Sequence, residues 1–186
     1  VALFGNRLLL SANYYNSRTT DMLYLYNVSV PPFTYNTLLA NIGSMRNWGT
    51  EIAIGITPLK TKDMELNINA NITFQRNKLL SLSGMYNGEM LSASEYKSLA
   101  SLDGAGFHGG YNHIVYQMVG QPLGVFYLPH STGLESDGNG GYTYGIADLN
   151  GGGVSLEDGE DRYVAGQAVP KTILGSNISF RYKRFD

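Results

Sequence analysis

The chain has 186 residues, with 13 Lys and Arg against 15 Asp and Glu, three His and no Cys. A formal charge of −2 excludes a strongly basic nucleic-acid binder working by counterion release, and the lack of cysteine excludes disulfide scaffolds, thiolate zinc sites, iron–sulfur clusters and cysteine nucleophiles. Charged residues make up only 15%, against about 25% in an ordinary soluble domain, while 23 glycines and 14 tyrosines suit long β-structure with loops.

The chain opens Val1-Ala2-Leu3-Phe4-Gly5 without an initiator Met or basic leader, and stops at Arg181-Tyr182-Lys183-Arg184-Phe185-Asp186 inside a strand pattern. Both ends read as cut from something longer. No run approaches the ~18 apolar residues of a membrane helix. A first strand is predicted over Arg7–Asn16, with Leu8, Leu10, Ala12 and Tyr14 on one face. A continuation over Asp21–Val30 stops at Pro31-Pro32. Thr50–Thr57 alternates Ile52, Ile54 and Ile56 with Glu51, Ala53 and Gly55. After a turn at 58–63, in which Pro58 is expected to end the strand, comes the cleanest segment. From Met64 to Gln75, Met64, Leu66, Ile68, Ala70, Ile72 and Phe74 alternate strictly with Glu65, Asn67, Asn69, Asn71, Thr73 and Gln75. Period-two alternation of this length fits a two-faced strand and no helix, so the two runs form a β-hairpin.

The stretch that follows differs in composition: 18 of the 23 glycines and all three histidines lie between Gly84 and Gly166. Ser92-Ala93-Ser94-Glu95 reads as a capping box and predicts a short helix over roughly 93–100. His113–Val119 and Leu123–Leu128 are β-rich. A last strand is predicted from Leu174 through Ile178, Phe180 and Tyr182. The organisation expected is strands and a first long connection over 1–82, a Gly-rich loop region over 83–169, and a returning strand over 170–186.

A strand with one aliphatic and one amide-rich face has two homes. In a soluble sandwich the apolar face is core; in a transmembrane barrel it meets lipid while the polar face lines a wet lumen. Segments of 8–12 residues bracket the ~9–11 needed to cross a bilayer. Aromatics near strand ends (Tyr14, Tyr15, Tyr24, Tyr26, Trp48, Phe74, Tyr182, Phe185) suit interfacial girdles. A β-sandwich that binds glycan remains the alternative on this pattern.

Five collinear blocks carry a resemblance. Tyr14-Tyr15-Asn16 with Thr20-Asp21-Met22-Leu23, then Asn41-Ile42-Gly43 with Asn47-Trp48-Gly49-Thr50-Glu51, are followed by Val119-Gly120-Gln121-Pro122-Leu123-Gly124. Next come Asp148-Leu149-Asn150-Gly151-Gly152-Gly153 with Glu160-Asp161-Arg162. Pro170-Lys171 with Asn177-Ile178-Ser179-Phe180-Arg181-Tyr182-Lys183 completes the set. Together they resemble the late barrel of SusC/RagA-type TonB-linked outer-membrane proteins. The resemblance implies an all-β fold: antiparallel strands of a large transmembrane β-barrel with long extracellular loops and, from the capping box, one short helix. It further implies no enzymatic activity, and a parent importing oligosaccharide or peptide across the outer membrane of a Gram-negative bacterium, with TonB and a SusD-like lipoprotein as partners.

On the barrel reading, Glu51, Asn67, Asn69 and Asn71 face the lumen, and Ile52, Ile54, Leu66, Ile68 and Ile72 face the lipid bilayer. Asp148-x-Asn150 has the opening rhythm of a calcium loop, but Gly152 and Gly159 stand where a side-chain oxygen and a bidentate acid belong. Glu157, Asp158, Glu160 and Asp161 are possible substitutes, and a turn cluster without an ion explains the same residues. No other cofactor is expected. The histidines lack metal-ligand spacing, and Ser131 beside His130 is adjacency alone.

Overall fold

The computed structural model describes residues 1–93, 96–101, 113–155 and 160–185. Among the described residues the largest of four sheets is antiparallel. Its strands are β1 (Ala2–Leu3), β2 (Leu8–Asn27), β3 (Thr37–Lys60), β4 (Met64–Ser81) and a final strand, β13 (Thr172–Tyr182), in the order β1-β2-β3-β4-β13. The alternating segments form its middle, but the strands run further than their alternation. β2, β3 and β4 are 20, 24 and 18 residues long. The two predicted pieces at the N-terminus are therefore one strand. A register shift between Thr19 and Met22, with Asp21 at φ 57°, marks a bulge where the pattern breaks.

Pro58 does not end β3. It sits at a second register shift, between Ile56 and Leu59, where a residue without an N–H is tolerated, and the turn shrinks to residues 61–63. In that turn Thr61 N–H donates to the Met64 carbonyl at 2.7 Å, and Thr61 Oγ1 accepts the Met64 N–H at 3.0 Å. The neighbouring turns lie at the same end. Phe4, Gly5 and Asn6, all at positive φ, join β1 to β2, and the Lys183 N–H donates to the Asp63 carbonyl.

The other end carries the long connections, 28–36 and 82–171. β4 and β13 are neighbours although 90 residues separate Ser81 from Thr172, and the intervening chain builds small sheets of its own. β5 (Ser83–Tyr86) and β6 (Glu89–Ser92) form a hairpin whose Asn87-Gly88 turn has both residues at positive φ, as a tight two-residue hairpin requires. A four-stranded sheet contains β7 (Tyr96–Ser101), β8 (His113–Met118), β9 (Val125–Pro129) and β12 (Arg162–Gln167). A second hairpin pairs β10 (Ser131–Ser136) with β11 (Tyr142–Ile146).

The helix expected over 93–100 is absent. Residues 94–95 lie outside the described residues, and Tyr96–Ser101 is β7, paired antiparallel with β8. A capping box supplies only the first-turn bonds. A helix of two turns has too little apolar face to compete with pairing against β8, which satisfies the backbone groups along one edge of the segment.

The buried side chains cluster at the loop end. Tyr26, expected among the girdle aromatics, is instead fully buried with Ala40 against Leu91 of β6, and Tyr116, Val125 and Tyr127 form the core of the four-stranded sheet. Among the described residues nothing covers the middle of the large sheet. Its Leu174 and Ile178 side chains are 74% and 67% exposed, whereas a sandwich would bury them.

Candidate functional site

The register sorts the large sheet into rows. One face presents Leu8, Ile56, Ile68 and Ile178 as direct cross-strand partners, then Leu10, Ile54, Ala70 and Ser176, then Ala12, Ile52, Ile72 and Leu174. Leu66 pairs with Phe180 on the same face. All five expected lipid-facing residues, Ile52, Ile54, Leu66, Ile68 and Ile72, therefore share it. The field is bounded on the loop side by a row of Tyr14, Thr50, Phe74 and Thr172, and on the turn side by Met64 and Tyr182. No charged side chain interrupts these rows. Ten residue steps along β13 at ~3.3 Å each, tilted by ~40°, give an apolar band about 25 Å high.

The opposite face presents Asn13, Glu51, Thr73 and Ile173 in one row, Ser11, Ala53, Asn71 and Gly175 in the next, and Leu9, Gly55, Asn69 and Asn177 in a third. The four expected lumen residues, Glu51, Asn67, Asn69 and Asn71, lie on this one face. Small partners leave space beside the amides. A Cβ added to Gly175 would stand 2.6 Å from Asn71 Oδ1, and one at Gly55 would stand 3.0 Å from Asn69 Oδ1, so both amides lie across glycines. Hollows in the sheet surface are lined by Ser11, Ala53, Asn69, Asn71 and Asn177 and, nearer the turns, by Glu65, Asn67 and Arg181. At that lower end Thr57 Oγ1 donates to Asn67 Oδ1 at 2.8 Å, Asn67 Nδ2 donates to Glu65 Oε1 at 3.2 Å, and Arg181 donates to Glu65 Oε2 at 3.0 Å. Tyr15 folds over Gly49 on the same face.

In the loop region, Asp148 uses its carboxylate on backbone N–H groups, those of Gly151 and Gly153, and Asn150 Oδ1 accepts the Gly152 N–H at 2.8 Å. Asn150 Nδ2 donates to Glu160. Among the described residues no group of three or more acids and histidines converges on a point that would suit an ion. Glu157 and Asp158 lie outside the described residues.

The residue that organises this loop is Asp161, which the spacing argument had only as a spare ligand. It is fully buried; its Oδ1 accepts the Leu149 N–H at 2.6 Å and its Oδ2 the Ser155 N–H at 2.8 Å. These backbone donors hold its carboxyl below the usual range, against burial, which pushes the other way. The adjacent Arg162 is buried too, donating to Tyr116 Oη at 3.0 Å and to the His113 carbonyl at 3.3 Å. One short run thus ties the 148–155 turn to the core of the four-stranded sheet. In the sequence Asp161 stood out through the Glu160-Asp161-Arg162 block and as an acid next to a base, and neither signal reveals burial.

The two described histidines have separate partners. His113 Nδ1 is 3.0 Å from Ser98 Oγ, the His130 ring lies 5.1 Å from that of Tyr163, and His108 is outside the described residues. Ser131 Oγ accepts the Gly133 N–H, a local turn contact.

Comparison with known proteins gives a consistent result. The family model described as "TonB dependent receptor-like, beta-barrel" matches residues 1–182. TonB-dependent receptor P3 of Formosa agariphila is 30% identical over the whole chain, and TonB-dependent receptor SusC of Bacteroides thetaiotaomicron is 25% identical over 92% of it. The chain spans only 18% and 16% of those two relatives. Among solved structures, the RagAB peptide importer in its open-open state superposes with a TM-score of 0.66 at 19% identity, over 98% of this chain and 18% of that one.

Proposed function

The chain belongs to the TonB-dependent receptor β-barrel family, and from that premise we propose that it is a stretch of barrel wall, with one elaborate outer loop, from a SusC-like outer-membrane importer. The observation that carries the reading is the uncharged apolar band about 25 Å high, matching the hydrocarbon-facing band of outer-membrane barrels. Ile52, Ile54, Leu66, Ile68 and Ile72 meet lipid in this reading, each gaining about 1.5–3 kcal/mol by leaving water. Glu51, Asn67, Asn69 and Asn71 face the lumen. An unpaired amide held against hydrocarbon would cost roughly 1–3 kcal/mol, which sets the direction of the sheet.

The short turns at 4–7 and 61–63 then lie on the periplasmic side, and the 82–171 region is extracellular. Crossing is by strands, and among the described residues no helix is long and apolar enough to span a membrane. The complete protein would import oligosaccharide or peptide, driven through TonB and served by a SusD-like lipoprotein. This stretch contributes wall, lumen lining and outer surface, and no catalysis.

Fractionation of cells making the full-length parent tests the assignment. The parent should sediment with outer membranes and migrate faster in SDS gels before boiling than after. A parent that stays in the soluble fraction and shows no heat-dependent shift overturns the reading in favour of a soluble module.

A further inference from the structure

The lipid-side face changes character abruptly above the aromatic row. The next row, toward the long loops, is Asn16, Trp48 and Arg76, and the one after it is Arg18, Arg46 and Lys78, directly opposite one another across three strands. Four cations thus occupy two successive rows. All four are exposed. Like charges placed directly opposite one another destabilise a sheet unless an anion lies between them.

No anion among the described residues does so. Among the described residues none of the four forms an ion pair; the nearest acid along β2 is Asp21, engaged by Thr20 Oγ1 at 3.2 Å. Two of the cations are held in place by neutral groups. Arg46 Nε donates to Asn16 Oδ1 at 2.8 Å while its guanidinium lies 5.2 Å from the Trp48 ring centroid. Arg76 donates to the carbonyls of Gln75 and Lys171 at 2.7 and 2.9 Å. The turn end of the same sheet is different, because Arg181 and Lys60 there flank the carboxylate of Glu65. Basic side chains at a membrane edge also serve as anchors that reach toward water. That role needs neither row alignment nor preset guanidinium orientation.

We infer that Arg18, Arg46, Arg76 and Lys78 form a binding site for the phosphate of a lipid headgroup in the outer leaflet, its acyl chains lying along the apolar band below. The inference rests on the lipid-facing reading proposed above. Charge complementarity and position select the occupant. The cations stand one to two rows beyond the aromatic girdle, at headgroup depth, and a guanidinium recognises phosphate oxygens in two-point fashion.

The test uses the full-length parent in phosphatidylcholine nanodiscs, titrated with monophosphorylated lipid A and, separately, with the same lipid lacking phosphate, read by native mass spectrometry. The triple variant Arg18→Gln, Arg46→Gln, Lys78→Gln should bind the phosphorylated lipid about a hundredfold more weakly, about fivefold for each cation at an anionic surface. The dephosphorylated lipid should bind both forms weakly and equally, and Lys60→Gln at the opposite end should change nothing.

Equal binding by the triple variant and the parent, with the heat-dependent gel shift intact in both, overturns the lipid site and leaves the barrel reading standing. A missing gel shift in the parent itself overturns the barrel reading first. Full displacement by millimolar inorganic phosphate would show a free-anion site and overturn the lipid assignment.

Discussion

The middle of the large sheet and the region at its loop end obey opposite rules of burial. Between the Tyr14–Phe74 row and the turns no side chain of β4 or β13 is fully buried, and the aliphatic groups, Ile173 apart, share one uncovered face. At the loop end Tyr26, Leu79, Tyr116, Val125 and Asp161 are completely enclosed. The wall is held by its backbone ladder and is completed by its surroundings. The loop region brings its own core, built from Tyr rings, one carboxylate and one guanidinium.

The largest expected effect tests the wall. Ile68→Arg in the full-length protein should cost about 2–4 kcal/mol and impair assembly. Asn69→Arg, one residue away on the other face, should leave the barrel folded and alter uptake. Gel-shift and urea-unfolding measurements in liposomes compare them, and equal tolerance would erase the distinction between the faces.

Gly49→Ala comes next. Its Cβ would stand 2.4 Å from the Phe74 carbonyl oxygen and 2.6 Å from Tyr15 Oη, so both a strand and a ring must shift. The expected loss is about 1–3 kcal/mol, seen as a lower unfolding midpoint with the loop region's protease resistance unchanged.

Tyr116→Phe sharpens the comparison from the other side. It removes the acceptor of Arg162 within a buried cluster. The loop region should lose about 1–2 kcal/mol of local stability, with faster amide exchange in β8, β9 and β12 and no change in the wall.

The smallest effect is a dependence on acid. The folded-state pKa of Asp161 is lowered, so its stabilising contribution is fully present above the ordinary unfolded value of about 3.9. That contribution disappears as pH falls through the lowered folded value. Limited proteolysis should find the 148–155 turn protected at pH 5 and opened only below the usual carboxylate range. Asp161→Asn should already be more open at pH 7 and should lack this acid transition.

Much of the wall was legible in the residues. Strict alternation over Met64–Gln75 gave its strand, its two faces and its pairing with Thr50–Thr57, because period-two geometry is a property of the strand alone. Where alternation lapsed, the reading fell short. The bulge at Asp21 shifts the phase of β2, so one strand reads as two. Pro58 at a second bulge mimics a strand end. Ser92–Glu95 carries a helix signature that β8 overrides by pairing with Tyr96–Ser101.

By itself the sequence determined the family, through five ordered blocks, and the sorting of aliphatic from amide side chains. Both are local, written in spacing and residue type. Only the tertiary structure decided that Arg18, Arg46 and Lys78 meet in one row, that β13 returns to β4 across 90 residues, and that the Asp161 carboxylate accepts the N–H groups of Leu149 and Ser155. Each depends on which strand lies beside which. Register is set by pairing between distant segments, and no short window of sequence contains both partners.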